Sequence, residues 1–455
     1  MDPLKYISLN EQQSIDQLKD FLRIPSVSAR SEYNKDMTRC AEFLKDYLNN
    51  IGIRTTIVRT KGFPIVFGEY EYSPHKPTVL IYGHYDVQPP DPLNLWKSSP
   101  FNPVIENGYI IARGAVDNKG QIFAHIKALE AYLKTGVKVP VNIKILIEGE
   151  EEVLGENLAD YIRSNKKDLN CDIAVVSDGS QFGLDLPAIN YGLRGIIGFE
   201  VKVHGPSRDL HSGSYGGAVA NPINILCKLI SRLHDDDGHV SVDGFYENII
   251  IPAEKEQKLI SEIPFSEKEY FESINVKTGW GEKEFSTLQR TWIRPTLDCN
   301  GITGGYQGEG GKTIIPAWAS TKITCRLVPE MDPKDIFNKI EKYLKKICPE
   351  YVTLEIDSFG GCFPIKIPVD SPWLKAASTA LKAVYKKEPL LTQEGGSIPI
   401  VETFKTELGI DTLLIGFGQH NDNAHSPNER FLLKDFIRGA QVSILLLDEI
   451  SKISR

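Results

Sequence analysis

The sequence predicts an α/β protein with a mainly parallel sheet and a smaller inserted α+β domain. In the first half of the chain, short apolar runs of strand length alternate with stretches of helical periodicity, a pattern typical of parallel α/β folds. Near residue 193 the pattern changes to the alternation of a half-exposed strand. We therefore expect one domain built from 1–192 and 371–455, with the insertion at 193–370.

The elements of the first domain follow from hydrophobic periodicity. Apolar residues at helical spacing predict amphipathic helices around 15–22 and 43–48. Apolar, β-branched runs of four or five residues predict buried strands at 78–82, 143–147, 173–176 and 412–415. The last predicted element of this domain is a helix over 433–450.

The inserted domain combines half-exposed strands with amphipathic helices. Phe199, Val201 and Val203 alternate with polar neighbours, so one face of this strand should be buried. By the same criteria we expect further strands at 320–328 and 351–356, and helices at 222–233 and 333–347.

Composition and charge restrict the classes of function. The 455-residue chain has a formal net charge of -8 and a pI near 5.7, without the basic patch that nucleic-acid binding requires. No apolar stretch reaches the roughly 18 residues of a membrane span, so we expect neither a membrane partner nor a leader peptide. Seven cysteines without a C-x-x-C pair indicate reduced thiols. We therefore expect a cytoplasmic protein that binds a small molecule or peptide.

Residue types that bind metals follow three of the predicted strands, at the point where each strand ends. His84 and Asp86 follow the first strand, the acidic run 148–152 follows the second, and Asp178 follows the third. Parallel strands present their carboxyl ends at one edge of a sheet. These side chains should therefore converge on one site.

Each of these residues has a structural alternative when it is considered alone. An isolated histidine such as His84 is more often a hydrogen-bonded core residue than a ligand, and Asp86 could bond its second ring nitrogen. An acidic run such as 150–152 is more often a solvated surface. Its position after an apolar strand favours one carboxylate as a ligand and another as a base toward water, because adjacent carboxylates repel unless a cation neutralises them.

Two further segments contribute candidates. Asp117 lies in a glycine-bounded loop before a predicted helix, where it is either an N-cap residue or a metal ligand. The polar segment 418–429 offers two histidines, His420 and His425, and both are candidates. A mixed set of imidazoles and carboxylates without cysteine favours zinc or manganese.

Taken together, these motifs resemble those of the M20 family of di-metal peptidases, most closely its branch of cytosolic non-specific dipeptidases and carnosinases. The resemblance extends over nearly the whole chain. The motifs that carry it lie, in chain order, at 83–89, 113–120, 148–152, 177–178, 208–213, 326–329, 394–397 and 424–426.

The resemblance implies a catalytic domain of the zinc-exopeptidase type and an inserted lid and dimerisation domain. It also implies two divalent metal ions per subunit, with Zn²⁺ as the first choice and Mn²⁺ or Co²⁺ as alternatives. One aspartate would bridge the two ions. The implied ligand sets are His84, Asp117 and Asp178 for one ion, and Asp117, Glu152 and His425 for the other.

The resemblance assigns the catalytic roles as well. Glu151 would be the general base toward the activated water and would later pass the proton to the leaving amine, while Asp86 would orient the centre. The family also implies a cis peptide bond between Asp117 and Asn118. Asn118 itself is a departure, because many family members have aspartate at this position.

For the substrate, the resemblance implies a pocket that receives its terminal carboxylate. The residues implied are Thr313, Arg326, Gly396 and Ser397. A guanidinium such as that of Arg326 suits a carboxylate because it can donate two parallel hydrogen bonds, although a surface ion pair is the alternative role. His211 would reach into the active site of the partner subunit of a homodimer and polarise the scissile carbonyl.

The predicted function is metal-dependent hydrolysis of the amide bond of dipeptides. The alternative is an N-acyl amino acid deacylase or desuccinylase with the same centre, because the wider family includes such enzymes. A third possibility is an inactive, metal-binding relative. It is disfavoured because Glu151 and all the implied ligands are of the required chemical type.

Overall fold

The computed structural model describes residues 1–153 and 155–454. The chain forms two compact units. The first unit comprises Met1–Tyr191, Ile367–Thr392 and Thr403–Arg455, and the second comprises Gly192–Lys366 and Gln393–Glu402. The short return segment 393–402 carries no signal in the sequence that would assign it to the second unit.

Both units combine strands with helices. In chain order, the strands are β1 (Arg54–Val58), β2 (Ile65–Tyr70), β3 (Thr78–His84), β4 (Val104–Glu106), β5 (Tyr109–Ile111), β6 (Asn142–Glu148), β7 (Ile173–Val176), β8 (Ala188–Leu193), β9 (Gly195–His204), β10 (Leu210–His211), β11 (Thr296–Gly304), β12 (Ile314–Ile315), β13 (Trp318–Leu327), β14 (Thr353–Cys362), β15 (Ile365–Lys366), β16 (Leu390–Glu394), β17 (Asp411–Leu414) and β18 (Arg430–Leu432). The α-helices are α1 (Pro3–Leu9), α2 (Glu11–Leu22), α3 (Asn34–Ile51), α4 (Lys119–Thr135), α5 (Asn157–Ser164), α6 (Ser212–Tyr215), α7 (Pro222–Ser231), α8 (Glu254–Ser261), α9 (Glu267–Ser273), α10 (Thr287–Trp292), α11 (Pro333–Ile347), α12 (Pro372–Tyr385), α13 (Pro399–Thr403) and α14 (Leu433–Ile450). Short 3-10 turns cover Ser31–Tyr33, Leu93–Leu95 and Glu151–Val153, and a π-helical turn covers Phe404–Leu408.

The main sheet of the first unit has the order β1-β2-β6-β3-β7-β17-β8. The central neighbours β6, β3, β7 and β17 run parallel, whereas β1, β2 and β8 join antiparallel at the edges. Every residue of β3 is buried, as expected for a parallel strand that is covered on both faces. The predicted α/β class is confirmed, and the sheet is mixed, with its parallel part at the centre.

The register of the central strands aligns their carboxyl ends. His84 of β3 lies opposite Glu148 of β6, and Tyr82 of β3 lies opposite Val176 of β7. Leu414 of β17 pairs with the same Val176. The residues that follow these strands therefore emerge along one edge of the sheet.

Helices cover the sheet of the first unit and enclose its core. α3 buries apolar residues at intervals of three or four and ends at Gly52, whose positive φ of 105° favours glycine. α4 is buried along almost its whole length, including the charged residues Lys119 and Lys127. No helix among the described residues is long and apolar enough to cross a bilayer.

The second unit contains an antiparallel sheet in the order β11-β13-β9-β14. Phe199, Val201 and Val203 of β9 are buried and alternate with less buried neighbours, as predicted. α7 and α11 pack on the sheet. α11 begins at Pro333 after an Asp332 cap whose carboxylate accepts two backbone N–H groups, at 2.7 and 3.0 Å.

Candidate metal centre

One half of the candidate centre is built on strand ends. His84 is the last residue of β3, and its side chain is fully buried. Its Nε2 lies 3.1 Å from Oδ1 of Asp117 and 3.6 Å from Oδ1 of Asp178. Asp178 follows β7 closely, as the sequence predicts for a ligand at this edge.

The other half of the centre is built on loops. Nε2 of His425 lies 2.8 Å from Oδ2 of Asp117 and 3.3 Å from Oε2 of Glu152. Asp117 thus directs one oxygen toward each of two imidazoles, as a bridging carboxylate would. It does not cap α4, because the N-cap position belongs to Asn118, whose side chain makes no capping bond. The second histidine of this loop, His420, is exposed.

The donor set fits divalent cations. The ligand atoms of His84, Asp117 and Glu152 all lie within 4.8 Å of one another. Nε2 of His84 is buried and makes no hydrogen bond within the described residues, although two carboxylates are close to it. A buried polar atom without a partner is costly, and a cation between these groups would remove that cost. Imidazole and carboxylate ligands suit zinc and manganese.

Without a metal, the surrounding carboxylates favour the protonated, charged form of both histidines at the centre. Burial opposes a charge on His84, but the nearby carboxylates of Asp178, Asp117 and Asp86 raise its pKa well above the ordinary value. Hydrogen bonds to Asp117 and Glu152 raise the pKa of His425 to about 10. Metal binding would therefore release protons from these rings, because only neutral imidazole is a ligand.

Asp86 connects the two halves of the centre. Its Oδ1 lies 3.4 Å from Nδ1 of His84, and its backbone oxygen lies 3.1 Å from the same nitrogen. Its Oδ2 accepts the backbone N–H of Glu152 at 3.1 Å. Asp86 therefore contacts the ring of one candidate ligand and the backbone of another, and its role in orienting the centre stays a prediction.

Glu151 lies in the 3-10 turn Glu151–Val153, directly after β6 and beside Glu152. Burial raises its pKa to about 7, and the carboxylates of Asp178 and Glu152 act in the same direction while His84 opposes them. A carboxylate with a pKa near neutrality can accept and return a proton at physiological pH.

Glu429 is a residue whose role the sequence analysis missed. Its buried carboxylate accepts the backbone N–H groups of Gly114, Val116 and Asp117 at 2.9, 2.9 and 3.1 Å. Arg113 neutralises it through a buried ion pair of 2.8 Å. Glu429 therefore holds the loop that presents Asp117. Only its position in a polar segment was visible in the sequence.

Asn118 and Gln88 also support the centre. Asn118 donates to the backbone oxygen of Ser177 at 2.6 Å and to Oδ1 of Asp178 at 2.9 Å, while its own oxygen accepts the backbone N–H of His84 at 3.3 Å. The peptide bond before Asn118 is cis, as the resemblance implies. Gln88 donates to Oε2 of Glu152 at 2.8 Å.

The residues implied in substrate binding belong to the second unit. Nη1 of Arg326 donates to Oγ of Ser397 at 2.9 Å, and Gly396 precedes this serine. His211 is exposed, and its Nδ1 accepts the backbone N–H of Gly213 at 3.0 Å. The backbone oxygen of Thr313 accepts the N–H that follows His211, at 3.0 Å. Arg326 and Ser397 are therefore hydrogen-bonded to each other, and the backbone next to His211 is hydrogen-bonded to Thr313.

The fold and the candidate centre together point to a class of protein: α/β enzymes with a candidate metal centre at the carboxyl edge of the sheet. The family model for peptidase family M20/M25/M40 matches residues 80–449. The chain belongs to this family and is a metallopeptidase.

Relatives and solved structures agree with the family. The chain is 33% identical to a Cys-Gly metallodipeptidase, DUG1, of Candida albicans, over 94% of this chain and 92% of the relative. It is 29% identical to the human Beta-Ala-His dipeptidase, over 99% and 92%. The crystal structure of an M20 family metallo-carboxypeptidase, Sso-CP2, from Sulfolobus solfataricus superposes with a TM-score of 0.84 at 34% identity, covering 97% of this chain and 99% of that chain.

Proposed function

We propose that this enzyme hydrolyses the amide bond of dipeptides at a centre of two divalent ions. The observation that carries the proposal is Asp117, whose two oxygens face His84 and His425 at 3.1 and 2.8 Å. The relatives named for Cys-Gly and Beta-Ala-His dipeptides support the substrate class.

In this proposal one ion is held by His84, Asp117 and Asp178, and the other by Asp117, Glu152 and His425. Zn²⁺ is the first choice, with Mn²⁺ or Co²⁺ as alternatives, because these ions accept mixed nitrogen and oxygen ligands. When bound, such ions lower the pKa of water and polarise a carbonyl. The absence of thiolate ligands predicts only moderate selectivity among these metals.

Glu151 takes the proton of the attacking water and returns it to the leaving amine. Burial raises its pKa to about 7 in the metal-free protein. Bound cations would lower that pKa, so the carboxylate would be deprotonated before attack and could accept the proton of the water. Asp86 keeps the ring of His84 in one orientation through its contacts with Nδ1. Gln88 and the buried Glu429 limit the movement of Glu152 and Asp117.

The substrate's terminal carboxylate is received by Arg326 and Ser397, together with Thr313 and Gly396. In its neutral form, His211 carries its proton on Nε2, because Nδ1 already accepts a hydrogen bond. That Nε2–H is the donor that would polarise the scissile carbonyl. We propose that it does so in the partner subunit of a homodimer.

A substrate panel tests the activity. Cys-Gly and β-Ala-His should be hydrolysed, N-acetyl and N-succinyl amino acids much more slowly, and a chelator should abolish both rates until Zn²⁺, Mn²⁺ or Co²⁺ is restored. Faster hydrolysis of the N-acyl amino acids would replace the dipeptidase proposal with the deacylase alternative. Full activity in metal-free protein would exclude the metal mechanism.

Mixing two inactive variants tests the proposed trans arrangement. Glu151→Ala and His211→Ala chains should each be nearly inactive, and subunit exchange should restore activity because one site of each mixed dimer then has both residues intact. Recovery can approach one working site in two. Verified exchange without recovery would assign His211 to its own subunit or to a structural role.

We also propose a cytoplasmic location. All seven cysteines of the chain are free thiols in the structure, among them the buried Cys40, Cys171 and Cys325. Thiols persist in this state in a reducing compartment. Fractionation of the source cells, with the enzyme followed by activity and antibody, tests this location.

A further inference from the structure

A second arginine lies behind the proposed carboxylate pocket of the second unit. Arg194 sits between β8 and β9 and is only 8% exposed. Its guanidinium donates to three backbone oxygens: Nε to Gly395 at 3.1 Å, and Nη1 to Arg294 at 3.2 Å and Arg290 at 3.4 Å. Among the described residues it forms no ion pair with a carboxylate. A buried cation without an anionic partner is uncommon and calls for a functional explanation.

The backbone of Arg194 is bonded to the same turn as its side chain. Its N–H donates to the backbone oxygen of Glu394 at 3.2 Å, and its backbone oxygen accepts the hydroxyl of Ser397 at 2.5 Å. One residue thus holds the turn at both ends. Glycine suits position 395, because an added Cβ would lie 2.8 Å from the backbone oxygen of Thr291 and 2.6 Å from Nη2 of Arg194.

These bonds fix the direction of the hydrogen bond between Ser397 and Arg326. A serine hydroxyl has one hydrogen, and in Ser397 that hydrogen is donated to Arg194. The lone pairs of the oxygen are therefore left for Nη1 of Arg326, which donates to it at 2.9 Å. The chain of contacts Arg194, Ser397, Arg326 orients the guanidinium that would meet the substrate.

The two guanidinium groups also act on each other electrostatically. Burial and the positive charge of Arg326 lower the pKa of Arg194 to about 10, with Asp298 opposing them, so it is still charged at neutral pH. Among the described residues, Arg326 too forms no ion pair with a carboxylate. The repulsion between the two cations outweighs the attraction of Asp298 at Arg194, and an arriving anion would relieve that repulsion.

We propose that Arg194 is a positioning residue that makes the pocket selective for substrates with a free terminal carboxylate. It holds the turn 394–397, orients Arg326 through Ser397, and supplies a second positive charge behind the pocket. This inference rests on the proposed function, because it takes Arg326 as the group that meets the carboxylate.

The test compares a free dipeptide with the same dipeptide as its C-terminal amide. In Arg194→Gln, KM for the free dipeptide should rise at least ~10-fold while kcat changes by less than ~3-fold, and KM for the amide should stay within ~2-fold of wild type. Arg194→Lys keeps the charge without the guanidinium fork, and it should recover part of the selectivity. A merely structural role would change both substrates alike.

A matched control is Arg438→Gln, which removes an arginine that is paired with Asp185 in the first unit. It should leave the ratio of the two KM values unchanged. Adding Arg194→Gln to Arg326→Gln should reduce selectivity little further, because the two residues act through one contact chain. Independent, additive losses would overturn the proposed chain.

Calorimetric binding of the same two peptides separates failure of the inference from failure of the proposed function. If the wild type binds the free dipeptide more tightly than the amide but does not hydrolyse it, the dipeptidase proposal fails and the pocket is still tested by Arg194→Gln. If Arg194→Gln does not fold, the ratio is measured in Arg194→Lys. A wild-type ratio in a folded Arg194 variant, or equal binding of both peptides by the wild type, would overturn the inference.

Discussion

The two histidines of the candidate centre are held in opposite ways. His84 ends a central strand, is fully buried, and has its backbone N–H bonded by Asn118 and its ring fixed by Asp86. His425 lies in a loop with a positive φ of 60°, and its side chain is 55% exposed. We call the part of the centre around His84 and Asp178 the sheet side, and the part around His425 the loop side.

The two sides of the centre differ in how firmly they are held and in how exposed they are to solvent. The sheet side is organised by hydrogen bonds among protein groups that are largely buried. On the loop side, the imidazole of His425 contacts Asp117 and Glu152. The position of this ring therefore depends on two other candidate ligands. An open, less constrained ligand on one side is compatible with entry of metal and substrate.

The largest effect should come from the buried carboxylate that presents Asp117. Glu429→Gln removes the charge opposite Arg113 and places an amide donor against backbone N–H groups, so we expect a loss of about 3–5 kcal/mol in the free energy of unfolding. Urea unfolding measures it. The control is Asp237→Asn, which breaks an exposed pair with Lys283 and should leave the urea midpoint almost unchanged. Equal losses would contradict the buried role.

The next effect is on catalysis. Glu151→Gln should lower kcat at least ~100-fold, or about 2.7 kcal/mol of barrier, while both ions remain bound. Glu150→Gln is the matched control from the same acidic run, since the Glu150 carboxylate accepts a hydrogen bond from Asn157 at 2.8 Å. Steady-state rates and metal content by mass spectrometry check both. Loss of metal in Glu151→Gln would show that Glu151 is a metal ligand and not the general base.

A direct comparison of the two histidines comes third. His84→Ala leaves the partly buried carboxylates of Asp117 and Asp178 without their cationic partner, so it should lose chiefly one ion and also about 2 kcal/mol of stability in metal-free protein. His425→Ala should lose chiefly the other ion and destabilise the metal-free protein less than His84→Ala does, because its side chain is half exposed and its ion pairs are screened by solvent. Equal destabilisation in metal-free protein would remove the distinction between the two sides.

The sheet side was also the part that the sequence predicted best. His84 and Asp178 follow apolar strands, and parallel strands bring their carboxyl ends together, so periodicity alone placed them near each other. On the loop side the sequence could not choose between His420 and His425, because a positive φ and loop geometry leave no periodic pattern. The choice came from a family resemblance.

Other features were missed for related physical reasons. Glu429 acts on a loop more than 300 residues earlier in the chain, and its partners are backbone N–H groups that no sequence pattern reveals. The antiparallel edges of the main sheet could not be separated from its parallel centre, because short apolar runs do not encode strand direction. Arg194 was visible only as a residue beside the change of pattern near residue 193.

The smallest expected effect concerns Asn118, the position at which the chain departs from many family members. Its amide donates to Ser177 and Asp178, and its oxygen accepts from His84, so it holds the sheet side together without contacting the loop side. Asn118→Ala should therefore weaken the binding of one ion by about 10-fold and leave the other within ~2-fold. Calorimetric titration of metal-free protein with Zn²⁺ resolves the two events.

Asn118→Asp separates the two contributions of this side chain. Aspartate keeps an acceptor for the backbone of His84 but loses the donor to Asp178 and adds a like charge beside it. If donation is what orders the sheet side, this variant should weaken the same ion as Asn118→Ala does. If added negative charge dominates, the ion should bind more tightly than in wild type. We expect weakening, because the carboxylate of Asp178 would lose its hydrogen bond and be repelled from its ligand position. Weakening of both ions alike would show that Asn118 acts on the whole centre and not on its sheet side.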